Sequence, residues 1–130
     1  MKNNYLINRP EEWHSVVARL YNRKCLNITF QVTEDCCMKC TYCYQHNKKS
    51  NKMDFETAKS LIDDILSLDP NLYSSVIFEF IGGEPFLEIE LIEKICDYTI
   101  NKMIEMHHPW LICFRCSMCS NGILYTSPKV

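Results

Sequence analysis

Glycine and proline are scarce, with three and five residues in a chain of 130. No stretch reads as a low-complexity linker, and the length fits one domain. Neither sign of charge is in excess: the formal net charge is -2, which supplies no basic footprint for nucleic acid. No apolar run approaches the roughly 20 residues of a membrane span. Neither nucleic acid nor membrane is therefore expected as a partner. The opening residues, Met1 to His14, lack the apolar stretch of a secretory signal, so a cytoplasmic chain is expected. At 47% hydrophobic residues, the chain can still bury an ordinary core.

Cysteine is the residue present in excess, with nine copies. A disulfide framework suits small secreted domains, but here the count is odd and four of the cysteines fall within eight residues. Clustering of that kind in an intracellular chain points to metal.

The hydrophobic pattern alternates between two periods. Asn8 to Glu12 reads as a helix start, with Pro10 in the first turn and acids at the positive end of the dipole. Trp13, Val16, Val17 and Leu20 form its apolar face. Residues 1–24 are thus expected as a lead helix. Leu26 to Thr33 alternates as a strand, with Leu26, Ile28, Phe30 and Val32 toward covering helices. Asn27, Thr29 and Gln31 then point to the other side, either an enclosed interior or solvent at a sheet edge. A loop from Glu34 to about Asn51 follows. Asp54 is placed to cap a second helix, whose face is Phe55, Ala58, Leu61, Ile62, Ile65 and Leu66. Ser75–Ile81 reads as a buried strand, broken by Gly82-Gly83-Glu84-Pro85. A third helix is expected from about Glu88 to Met106, with Ile92, Ile95, Cys96, Thr99 and Met103 inward. A third strand is expected over Leu111–Ser120, followed by the turn Asn121-Gly122. Strands alternating with helices imply an α/β fold with parallel strands. Chemistry in such folds gathers at the loops after the strands' carboxyl ends, where the cysteine loop, Gly82–Pro85 and Ser120–Gly122 all fall.

Cys36, Cys40 and Cys43 have the spacing C-x3-C-x2-C. Three thiolates on a short loop can hold three irons of a [4Fe–4S] cluster, leaving the fourth open to an outside ligand. Two other chemistries are open to such a loop. A zinc-binding module wants four ligands, usually in two separated pairs. A non-catalytic electron-transfer module would close its cluster with a fourth thiolate. Cys37, Cys40 and Cys43 do begin a ferredoxin-type run, but that run needs a cysteine where Asn47 stands. Cys37 reads as a spare thiol beside the cluster, or as that fourth ligand. On a strand, Cys113 and Cys119 would share a face and Cys116 take the other, so these three read as small core hydrophobes. Cys25 and Cys96 read the same way. His107 and His108 are expected at a helix end where cations favour the dipole.

The cysteine spacing, with Tyr42 before the third cysteine, resembles the signature of the radical S-adenosylmethionine (radical SAM) superfamily. Gly82-Gly83-Glu84 resembles the turn that holds the SAM ammonium there, and Ser120-Asn121-Gly122 the polar turn beside SAM. The text around the motifs looks most like that of SPASM-type peptide-maturing enzymes. The resemblance covers residues 25–130. It implies the N-terminal half of a partial (β/α)6 TIM-type barrel, with three parallel strands and flanking helices. It also implies a [4Fe–4S] cluster on Cys36, Cys40 and Cys43. SAM would lie against Gly82, Gly83, Glu84, Tyr42 and Ser120, and no residue is assigned as catalytic. The implied activity is reductive cleavage of SAM to a 5′-deoxyadenosyl radical, for maturation of a ribosomally made peptide. The implied partners are that peptide and a reductant such as a ferredoxin or flavodoxin. The family's later strands and auxiliary-cluster domain have no counterpart in these 130 residues, so this chain alone is expected to be inactive.

Overall fold

A computed structural model describes residues 24–45 and 50–125. The lead helix expected around Trp13–Leu20 lies outside them. Three strands, β1 (Cys25–Thr33), β2 (Ser75–Gly82) and β3 (Arg115–Met118), form one sheet in the order β1-β2-β3, and both pairings are parallel. Parallel neighbours need a crossover. Helix α1 (Phe55–Leu66) supplies the first, and α2 (Ile89–Glu105) the second. Short 3₁₀ turns, Pro85–Glu88 and Pro109–Cys113, precede and follow α2.

The two periodicities meet on one face of the sheet. Phe30 and Val32 from β1 and Val76, Phe78 and Phe80 from β2 are buried against Ala58, Ile62 and Leu66 of α1 and Ile92, Ile95 and Met103 of α2. The Phe30 ring meets Phe78 edge-on at 4.9 Å and stacks on Phe80 at 5.7 Å. Full burial of each such side chain stabilises by roughly 1.5–3 kcal/mol. Asn27, Thr29 and Gln31 are exposed on the opposite, uncovered face, where Thr29 Oγ1 donates to Glu79 Oε2 at 3.3 Å. The helix faces match their expected residues, except that Leu61 is left exposed.

The helix ends are set chemically. Asp54 caps α1 by accepting from Thr57 N–H at 2.9 Å, and its bonds to Thr57 hold the carboxyl below its ordinary range. The Tyr98 hydroxyl on α2 donates to Asp63 on α1 at 2.7 Å, and that bond pushes the phenol up to about 12. At the end of α2, His107 takes a left-handed φ of 51°. There His107 N–H bonds Ile104 O and His108 N–H bonds Met103 O, which is a Schellman motif with histidine at the position glycine usually fills.

Three expectations are corrected. The third strand is only four residues long, because Pro109 opens a 3₁₀ turn instead. His108 caps that turn through Nδ1, and the Trp110 indole N–H anchors it on Tyr73 O at 2.8 Å. His108 is not a helix-end cation: it is buried, and desolvation lowers its pKa. Cys25, Cys116 and Cys119 are exposed rather than core. Cys25 opens an edge strand on the uncovered face, and β3 ends too early to bury Cys119. Among the described residues, no helix is long and apolar enough to cross a membrane.

Candidate metal centre

All three unusual segments lie at the carboxyl ends of the strands, and hydrogen bonds join them. The Gly82–Pro85 turn is spliced onto the residues that lead into the cysteine loop. Gly83 N–H donates to Thr33 O at 3.0 Å, and Glu84 N–H donates to Asp35 O at 2.8 Å. A Cβ at Gly83 would lie 2.2 Å from Asp35 O, and one at Gly82 would lie 2.6 Å from Thr33 O. Both are backbone atoms with little freedom to yield. The close approach that two glycines permit is therefore spent on the neighbouring loop of the same chain.

Glu84 is fully buried. Its Oε1 accepts from Phe86 N–H at 3.1 Å and from Ser120 Oγ at 2.8 Å, and its Oε2 accepts from Asn121 N–H at 2.9 Å. Asn121 carries the chain of contacts onward: its Nδ2 donates to Cys37 Sγ at 3.4 Å, and its Oδ1 accepts from Ile123 N–H at 3.0 Å. One carboxylate thus holds the turn after β3 to the turn after β2, and both touch the loop after β1.

The cysteine loop is closed at its two ends. Glu34 N–H donates to Asn51 O at 2.9 Å, Asn51 Nδ2 donates to Glu34 Oε2 at 3.0 Å, and Met53 N–H donates to Val32 O at 3.0 Å. A shift in the β1–β2 register between Gln31 and Thr33 lets Val32 and Thr33 both be buried, as a bulge does. Thr33 Oγ1 then accepts from Asp35 N–H at 3.1 Å. Between these clamps, Cys36, Cys40 and Cys43 are free thiols of intermediate exposure, and Cys37 is exposed. Met38 N–H points at Cys36 Sγ at 3.4 Å, and Cys43 N–H bonds Cys40 O at 3.2 Å. Tyr42 projects into solvent at 89% exposure.

Among the described residues, no three His, Cys, Asp or Glu side chains converge as ligands of a single ion. A cubane cluster takes one thiolate at each of separate iron corners, and soft thiolates are the donors iron–sulfur clusters use. The donor set Cys36, Cys40 and Cys43 fits that group. Sequence reasoning placed the three segments on one rim. It missed Thr33, Asp35, Asn51 and Asn121 as the residues that tie them. Asn121 was legible as part of a turn motif, while Asn51 carried no local signal.

A family model described as a 4Fe-4S single cluster domain matches residues 24–114. An uncharacterized protein of Methanocaldococcus jannaschii, MJ0907, is 46% identical over 72 residues, which is 55% of this chain and 24% of that one. Native anSMEcpe with bound AdoMet and Kp18Cys peptide is similar at 28% identity and a TM-score of 0.59, over 78% of this chain and 26% of that one. Native anSMEcpe with bound AdoMet and Cp18Cys peptide gives 27% and 0.56, over 77% and 25%. The chain spans about a quarter of the length of these relatives. The likeness to the N-terminal part of a SPASM-type radical SAM core holds, and so does the half-barrel of three parallel strands with flanking helices.

Proposed function

The chain belongs to the 4Fe-4S single cluster domain family, and from that premise we propose that it is the cluster- and SAM-binding part of a radical SAM enzyme acting on a peptide. The observation that carries this reading is the junction of three loops at Glu84. It fixes a thiol-rich loop beside a buried carboxylate on a rim where parallel α/β folds hold ligands. The solved relatives with AdoMet and peptide bound support the choice of cofactor and of substrate class. The core is assigned to residues 25–130.

In this reading Cys36, Cys40 and Cys43 each hold one iron. The Met38 N–H aimed at Cys36 Sγ offsets thiolate charge, and hydrogen bonds to sulfur tune a cluster's potential. Glu84 keeps Ser120 and Asn121 in place, and the turn that it braces holds the SAM ammonium. Gly82 and Gly83 bring that carboxylate against the cysteine loop. Ser120 and Tyr42 flank the nucleoside side. Asn27, Thr29 and Gln31 line the face a completed barrel would enclose. When bound, the cluster and SAM supply reductive cleavage to a 5′-deoxyadenosyl radical, with electrons from a carrier such as a ferredoxin or flavodoxin.

The test is anaerobic reconstitution with iron and sulfide, followed by dithionite and EPR. A reduced [4Fe–4S] signal should appear, should change when SAM is added, and should be lost in Cys40→Ala. A signal that ignores SAM would instead mark a closed electron-transfer cluster. Stoichiometric zinc, or a cluster that survives Cys40→Ala intact, would sink the assignment.

A further inference from the structure

Away from the rim, two thiols meet where α2 packs on the sheet. Cys96 lies on the inward side of α2, half-buried against the core, and Cys116 lies on β3 opposite Phe78 of β2. Their sulfur atoms are 3.4 Å apart and unbonded. A disulfide needs about 2.05 Å, so the two sulfurs have roughly 1.4 Å left to close. Cys116 is exposed and can be reached by a soluble oxidant, whereas Cys96 is only partly exposed.

We propose that Cys96 and Cys116 form a reversible disulfide, made by exchange with a low-molecular-weight disulfide, that staples β3 to α2. The Cys116 thiolate attacks one sulfur of the small disulfide. That S–S bond breaks, and one small thiol leaves with a proton from water. Cys96 then gives up its proton and attacks Cys116 Sγ, expelling the second small thiol. Two protein thiols are oxidised and one disulfide is reduced to two thiols. The hydrogen bond between the two sulfurs favours the thiolate at Cys116 and pushes the Cys96 thiol up, which matches the order of attack, since exchange runs through the thiolate.

The structural consequence falls on the turn after β3. That strand pairs with β2 along four residues, and among the described residues no strand pairs with its other edge. It leads directly into Ser120 and Asn121, which Glu84 holds and which reach Cys37. A staple at Cys116 firms the strand that delivers this turn to the cysteine loop. Cys96 and Cys116 lie outside the proposed cluster ligands, so the link between them is independent of the cluster.

The test uses the whole chain, cluster-loaded and anaerobic, equilibrated against graded mixtures of reduced and oxidised glutathione. Samples are alkylated, digested and read by mass spectrometry. A Cys96–Cys116 peptide should form at more reducing mixtures than glutathione adducts on exposed Cys25 and Cys119. The thermal midpoint should rise by about 10 °C for a loop of this length, and amide exchange across residues 115–122 should slow. Cys116→Ser should abolish all three effects. Cys96→Ala should stop at a glutathione adduct on Cys116, so one variant still tests the idea if the other misfolds. The same link should form in Cys40→Ala, which separates this outcome from failure of the cluster. Scattered adducts with no Cys96–Cys116 peptide, or a link that leaves the midpoint and the exchange unchanged, would overturn the proposal.

Discussion

The Gly82–Pro85 turn and the cysteine loop lie side by side on one rim and are built in opposite ways. The turn is a finished object: Glu84 and Pro85 are buried, and the carboxylate is bonded on both oxygens before any ligand arrives. The loop's backbone is clamped where it leaves and rejoins the fold, at Thr33–Asp35 and Asn51–Met53, and Asn121 touches it at Cys37. Between the clamps Cys36, Cys40 and Cys43 are half-exposed, Cys37 is exposed, and Tyr42 and Tyr44 stand in solvent. Ligand-binding segments are drawn from the less stable parts of a fold, and metal binding contributes folding energy of its own. The two segments divide the labour. The turn is organised by the protein and sets position, while the loop supplies ligands and takes its final order from the cluster it holds.

The largest expected effect comes from breaking the turn's contact with the loop. In Gly83→Ala a Cβ would sit 2.2 Å from a backbone oxygen, so the splice to Asp35 must open. A loss of roughly 3 kcal/mol or more is expected, since backbone strain of this kind is among the mechanisms behind large effects. Urea unfolding of the cluster-free chain would read it. A change below 0.5 kcal/mol would show that the splice is pliable and the contrast overstated. Glu84→Gln comes next. An amide offers one acceptor oxygen and an NH₂, so a donor must face Asn121 N–H, or else Phe86 N–H and Ser120. About 2 kcal/mol should be lost, and amide exchange at Asn121 should quicken.

The pattern that makes the turn rigid was partly legible in the sequence. Strand alternation over Leu26–Val32 and the helix faces of α1 and α2 reappear as the core, because burial follows period directly. Asp54 was readable as a cap because its bond to Thr57 is local. The rim's location followed from parallel topology alone. The use of Glu84 was not readable, because its partners Ser120 and Asn121 lie 36 and 37 residues away, and no local pattern encodes such a pairing. The short β3 was missed because Leu111–Ser120 looks strand-like, whereas the Trp110 anchor on Tyr73 O is a tertiary contact. The same holds for the glycines. Two in a row signal close approach, but whether to a ligand or to Asp35 depends on what the fold places there.

Two smaller effects concern the segment joining α2 to β3, far from the rim. His108 is buried, and desolvation lowers its pKa, so the folded state binds fewer protons than the unfolded chain below about pH 6.5, the ordinary histidine value. Stability should be full above that pH and should fall as the pH drops below it, by at most about 1.4 kcal/mol per pH unit. Urea midpoints between pH 7.5 and 5 would show the decline, and His108→Asn, which keeps an acceptor for Trp110 N–H, should reduce it. A flat profile would mean that His108 protonates without cost. His107→Gly should stabilise by about 1 kcal/mol, because glycine enters the left-handed region without the Cβ penalty. Neither change should alter cluster assembly, because both lie outside the hydrogen bonds that join the three rim loops.

The smallest expected effect on stability comes from the cysteine loop itself. Tyr42 is 89% exposed and buries almost no apolar surface, so Tyr42→Ala should change the unfolding free energy of the cluster-free chain by less than about 0.5 kcal/mol. Its role in the proposed site would appear elsewhere. If the ring closes over SAM once the cluster orders the loop, the same variant should weaken SAM binding about tenfold, equal to about 1.4 kcal/mol. An EPR titration of the reduced cluster with SAM would read that. The two measurements together test the contrast at its weakest joint. A neutral effect on unfolding with weakened SAM binding fits a loop that acquires its packing with its ligands. A stability loss above 1 kcal/mol in the cluster-free chain would show that Tyr42 is already packed there, and that the loop, like the turn beside it, is organised before the cluster arrives.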